Sequence, residues 1–90
     1  MSDELVAQFE RASNDVTELS EAPDNLAKLK LYALYKQATQ GAPTGNRPGI
    51  MDFVGRAKYD AWKAFEGKTQ DEARQLYIEL VEELKATDAN

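Results

Sequence analysis

The chain has 90 residues and a net charge of −5, with neither cysteine nor histidine. Without thiols or imidazoles there is no disulfide, no thiolate chemistry, no usual general base and no commonest metal ligand. The length suits one domain, residues 1–90, and no apolar run approaches the roughly 20 residues of a membrane span.

The opening "MSDELVAQ" is acidic and lacks the basic n-region of a secretory signal, so the cytosol is the expected location. Apolar residues then recur at Leu5, Phe9, Ala12, Val16 and Leu19, in helical steps of four and three. Ser2 can cap this first helix, and Asp3 and Glu4 suit its positive end. "SEAPDN" breaks it. A second helix is predicted from about Asp24, which can cap it, to Gln40, with Gly41 as the stop. "GAPTGNRPG", 41–49, is the one long loop. A third helix is predicted from near Met51 to near Glu66. The fourth opens on "TQDE", where Thr69 and Glu72 form a capping box, and carries the stripe Ala73, Leu76, Tyr77, Leu80, Val81 and Leu84. There is no strand pattern and no repeat, so an all-α four-helix bundle is predicted. The short first and third links favour antiparallel neighbours, while the longer middle loop allows a crossover.

Charge is unevenly spread along these elements. Residues 1–27 carry a net −6, residues 28–58 a net +5 and residues 59–90 a net −4. Basic helices beside acidic ones are ordinary bundle electrostatics, but the same pattern fits an anion site. On a wheel of the second helix, Lys28, Tyr32, Tyr35, Lys36 and Thr39 fall within an arc of roughly 100°. Leu26, Leu29 and Ala33 flank the arc on one side, and Leu31, Leu34 and Ala38 on the other. Lys30 and Gln37 occupy a more ordinary polar position. In the third helix Lys58 sits between Val54, Ala61 and Phe65 on one side and Trp62 on the other. A lysine there must find a partner or reach water, and Asp52 is poorly placed to pair with it. Two readings fit: the lysines snorkel past core-edge tyrosines, or the ammonium groups meet an anionic ligand. Tyr77 reads either as a core tyrosine or as a ligand wall. Cations and phenols suit phosphate, a tyrosine face suits a purine, and aliphatic side chains suit a hydrocarbon; an acylated nucleotide has all three parts.

Catalytic patterns are missing. There is no Ser-His or Cys-His pair, no "GxSxG", no metal-ligand spacing, and the 41–49 loop lacks the lysine of a phosphate-binding loop. A non-enzymatic protein with no cofactor and no metal is expected. An acidic protein partner for the basic centre is a second reading. Nucleic acid is not expected as a partner, because the chain is acidic and has no long basic groove.

The stretches "YALYKQATQG", "RPGIMDFVGRAKYDAWKAFEGKTQDEA" and "YIELVEELK" together resemble the acyl-CoA-binding proteins. The resemblance covers nearly the whole chain and is weakest before residue 20. It implies an up-down-down-up bundle that binds long-chain acyl-CoA and carries it through the cytosol for acyl-CoA-using enzymes; the small polar surface favours a monomer. By matching position, Tyr32, Lys36 and Lys58 would bind the 3′-phosphate and Tyr35 would stack on adenine. Tyr77 would meet the nucleotide and pantetheine, and Phe9, Leu29, Leu31 and Ala57 would lie near the acyl chain. Two positions depart from the pattern: Thr17, where many members have lysine, and Lys28, where an apolar residue often lines the acyl groove.

Overall fold

The computed structural model describes residues 3–88. Helix α1 spans Asp3–Asp15, α2 Asn25–Gln40, α3 Phe53–Lys63 and α4 Gln70–Asp88, and no strand occurs among the described residues. The expected Ser2 cap lies outside them. The end of the first helix differs from expectation: a 3-10 turn, Val16–Glu18, follows α1. There the Ser13 and Thr17 hydroxyls bond the carbonyls of Glu10 and Asn14, each at 2.7 Å, competing with the helical ladder. Asp24 caps α2 by accepting from the Ala27 N–H at 2.8 Å. At the other end Gly41 turns away at φ 81°, a conformation that favours glycine, while its N–H still bonds Gln37 O. The third helix is shorter than its apolar pattern suggested. Asp52 caps it through the Gly55 N–H, and residues 64–67 form turns rather than a further helical turn. The capping box of α4 is reciprocal: Thr69 N–H donates to Glu72 Oε1 at 2.8 Å, and Glu72 N–H donates to Thr69 Oγ1 at 3.0 Å.

Contacts between helices give their directions. Residues 25–32 of α2 face residues 53–58 of α3, and Trp62 Nε1 near the end of α3 donates to Gly41 O at the end of α2. These two helices are therefore parallel. So are α1 and α4, which pair Phe9 with Tyr77 and Asp15 with Lys85. Helices α2 and α4 are antiparallel: Gln37 bonds Lys68 O, while Ser20 and Glu21, just before α2, bond Asp88 at the far end of α4. The order is up-down-down-up.

The middle loop makes the crossover. It returns along α3, with Tyr59 donating to Gly45 O, Arg47 forking onto Asp60 and Arg56 donating to Pro48 O. The short links do join antiparallel helices, but the main packing pairs are α2 with α4, α2 with α3 and α1 with α4. The packing order is α3, α2, α4, α1, in a molecule of 39 × 32 × 16 Å.

This order decides what is buried. Two helices flank α2, so Leu31, Ala33, Leu34 and Ala38 are all core residues. Gln37, expected on the polar face, is 2% exposed; its Nε2 donates to Lys68 O at 2.7 Å, tying α2 to the turn before α4. Helix α4 contributes Ala73, Tyr77 and Val81, and α1 contributes Phe9 and Ala12. Helix α3 lies on the edge against α2 alone and buries no residue fully. The expected apolar enclosure of Lys58 is thus absent, and its side chain is exposed.

Candidate functional site

Because α2 and α3 run parallel, their outer faces meet along a groove. Asn25, Lys28, Leu29 and Tyr32 line one wall, and Phe53, Val54, Ala57 and Lys58 the other, around about 440 Å³. Four of the eight are apolar and two are lysines. Helical spacing places Lys28, Tyr32 and Lys36 one turn apart on a single face of α2.

Tyr32 is the meeting point of the cations. Lys36 Nζ lies 5.8 Å from its ring centroid and Lys58 Nζ 5.3 Å. Lys36 is also 5.3 Å from the Trp62 ring, whose indole is fixed by its bond to Gly41 O. Aromatic faces attract an ammonium without neutralising it. The chain has 16 carboxylate side chains against 11 basic ones. Even so, among the described residues Lys28, Lys36 and Lys58 have no carboxylate within 4.0 Å, whereas Arg47, Lys63, Arg74 and Lys85 do. The groove therefore keeps ammonium groups that pair with no carboxylate among the described residues. It can accept an anion at the Tyr32 end while its apolar walls accept hydrocarbon.

A second group joins α2 to α1 and α4. Phe9 stacks on Tyr35 at 5.5 Å and meets Tyr77 edge-on at 5.0 Å, with Tyr35 and Tyr77 6.1 Å apart. Phe9 and Tyr77 are buried, while Tyr35 is 44% exposed. Burial, with a smaller contribution from Tyr35, pushes the Tyr77 phenol above its ordinary value, so it stays neutral at physiological pH. One face of Tyr35 is held by Phe9, and the exposed remainder can stack on a planar ring.

The structure thus brings Tyr32, Lys36 and Lys58 together, and sets Lys28, Leu29 and Ala57 in the adjoining groove. Phe9, Tyr35 and Tyr77 form a separate aromatic group, and Leu31 is a core residue of the α2–α4 packing. Thr17 is exposed on the 3-10 turn, its hydroxyl used by Asn14 O. Sequence reasoning missed Asn25, Phe53 and Val54 as groove walls and Trp62 as a platform for Lys36. The signal for Trp62 was its position one turn beyond Lys58. The signal for Phe53 and Val54 was an apolar pair at the start of a helix whose pattern could also have served a core. Among the described residues no three carboxylates gather to hold a metal.

These features place the chain among all-helical proteins built around an open amphipathic groove. The family model for acyl-CoA-binding protein matches residues 6–81. The acyl-CoA-binding protein of Brassica napus is 46% identical over 86 residues, covering 96% of this chain and 94% of that protein. Enoyl-CoA delta isomerase 2 of Rattus norvegicus is 49% identical over 79 residues, 88% of this chain. The chain spans about a fifth of that relative's length, 20% of it. The crystal structure of Oryza sativa acyl-CoA-binding protein 2 superposes with a TM-score of 0.92 at 42% identity, covering 97% of this chain and 95% of that one. The chain belongs to the acyl-CoA-binding protein family.

Proposed function

We propose that residues 1–90 act as a single domain that binds medium- and long-chain fatty acyl-CoA thioesters. It holds and carries them in the cytosol, as a monomer and without catalysis, for enzymes that use acyl-CoA. The observation that carries this reading is the pair of lysines, with no carboxylate partner among the described residues, converging on Tyr32 beside an apolar groove.

In this reading Lys36, Lys58 and the Tyr32 hydroxyl hold the 3′-phosphate, and the open part of Tyr35 stacks on adenine. The acyl chain lies against Leu29 and Ala57 and the newly recognised Phe53 and Val54, with Lys28 at the groove wall. Phe9, Leu31 and Tyr77 back these surfaces from the core. Burying ten methylenes contributes about 8 kcal/mol at roughly 0.8 each. Each charge-assisted bond to phosphate adds about 1.5–3 kcal/mol, and association costs offset several kcal/mol. The chain supplies most of the affinity and the phosphate site supplies selectivity.

Calorimetric titration with palmitoyl-CoA and with free palmitate tests the reading. Tight binding of the thioester and weak binding of the acid is the expected result. Equal binding of both would remove the nucleotide from the account.

A further inference from the structure

We infer that Trp62 is a positioning residue that holds the Lys36 ammonium ready for the ligand's phosphate. Through Lys36 it sets how strongly the protein prefers a 3′-phosphorylated ligand over one without that group. This role rests on the function proposed above and deepens it.

The order of side chains along two parallel helices sets up the role. Tyr32 and Lys36 stand one turn apart on α2, ring first and ammonium second. Lys58 and Trp62 stand one turn apart on α3, ammonium first and ring second. This inversion sets a cation opposite a ring at each level of the pair. Lys58 Nζ lies 5.3 Å from the Tyr32 centroid, and Lys36 Nζ lies 5.3 Å from the Trp62 ring. Each ammonium therefore rests on an aromatic face supplied by the other helix. Lys36 is also 5.8 Å from the Tyr32 centroid, so without the indole both ammonium groups would share one ring.

The indole takes its own place from the backbone. Trp62 Nε1 donates to Gly41 O at 2.8 Å. Gly41 is set by the end of α2, at φ 81° with its N–H on Gln37 O. Gln37, the buried neighbour of Lys36, is tied in turn to Lys68 O. The platform under Lys36 thus exists before any ligand arrives. A lysine on its flexible four-carbon stem loses rotamer freedom when it grips a phosphate. An indole face, the best aromatic partner for a cation, removes part of that freedom beforehand. It also leaves the ammonium charged, with N–H donors for the anion. A carboxylate in the same place would hold Lys36 but neutralise it. A ligand without the 3′-phosphate gains little from this placement, so the effect of Trp62 appears in selectivity.

The test titrates palmitoyl-CoA and its analogue lacking the 3′-phosphate into wild type, Trp62→Leu, Lys36→Met and the double variant. The readout is the ratio of the two Kd values, because a general loss of packing weakens both ligands alike and leaves the ratio unmoved. In Trp62→Leu the preference for the phosphorylated ligand is expected to fall about two- to tenfold. In the Lys36→Met background Trp62→Leu is expected to lower it no further, since positioning acts through Lys36. A wild-type ratio in Trp62→Leu, or the same fall in the Lys36→Met background, overturns the role of Trp62 and leaves the phosphate assignment standing. Equal binding of the two ligands by wild type overturns both. Should Trp62→Leu fail to fold, nuclear Overhauser contacts between the Lys36 ε-protons and the indole of the chain's single tryptophan carry the test on wild type. Contacts are expected in the free protein and in the palmitoyl-CoA complex, and their absence from either overturns the role.

Discussion

Replacing Lys58 by methionine should separate binding from stability. The two ammonium groups lie 5.8 and 5.3 Å from one ring centroid. They are thus at most about 11 Å apart, where like charges in water repel by about 0.4 kcal/mol before salt screening. Against that relief stands the lost attraction to the Tyr32 face, about 0.5–1 kcal/mol at an exposed site. Methionine keeps most of the aliphatic stem. The net change in stability is therefore below about 1 kcal/mol, a melting shift of under about 8 °C for a domain of this size. Binding behaves differently. Loss of one charge-assisted phosphate contact, about 1.5–3 kcal/mol, weakens palmitoyl-CoA roughly 10- to 150-fold. Calorimetry and thermal melts on the same samples read both quantities. An unchanged Kd, or a loss of stability large enough to explain the weaker binding, refutes the reasoning.

Other perturbations reach the scaffold. Phe9→Ala removes the ring buried between Tyr35 and Tyr77. It should cost about 3–5 kcal/mol, a large share of the roughly 5–13 kcal/mol expected for a domain of this length; a urea midpoint close to wild type would contradict that burial. Thr69→Ala opens one half of the capping box and should cost about 1 kcal/mol, read as a lower melting temperature, and an unaltered melt would count against the cap. Asp88 accepts from the Ser20 hydroxyl and from the Ser20 and Glu21 N–H groups, bonds that hold its carboxyl below the ordinary 3.8. A depressed folded pKa means the contribution is fully present above pH 3.8 and is lost as pH falls through the folded value. Asp88→Asn should therefore lower stability at neutral pH and flatten the acid limb of a melting-against-pH curve. Parallel limbs for the two proteins would contradict the assignment.

Features that depend on a few adjacent residues were legible in the sequence. Asp24, Gly41, Thr69 and Glu72 mark helix ends because a cap is made by residues within one turn. The stripe of α4 was legible because its buried residues Ala73, Tyr77 and Val81 recur in steps of four along one face. What a single wheel does not contain is the number of neighbours a helix will have. Gln37 looked solvated until α2 proved to lie between α3 and α4, with the Lys68 carbonyl within reach of the side chain. Lys58 looked enclosed because the apolar residues around it resembled a core stripe, yet α3 has one neighbour and leaves Val54 exposed. The meeting of Tyr32, Lys36 and Lys58 needed the family resemblance, because it depends on two helices running parallel after a crossover that periodicity does not specify. The aromatic group of Phe9, Tyr35 and Tyr77 joins three helices, and nothing local in the sequence pairs those residues.

The central claim is that the lysines at Tyr32 serve a phosphate on the ligand. Titration of palmitoyl-CoA against its analogue lacking the 3′-phosphate tests this most directly, with the acyl chain, thioester and adenine held constant. Loss of contacts to Lys36 and Lys58 should weaken the analogue by about tenfold or more. The deficit should vanish when both proteins compared are Lys36→Met, Lys58→Met double variants. Equal Kd values for the two ligands on the wild-type chain would contradict the account.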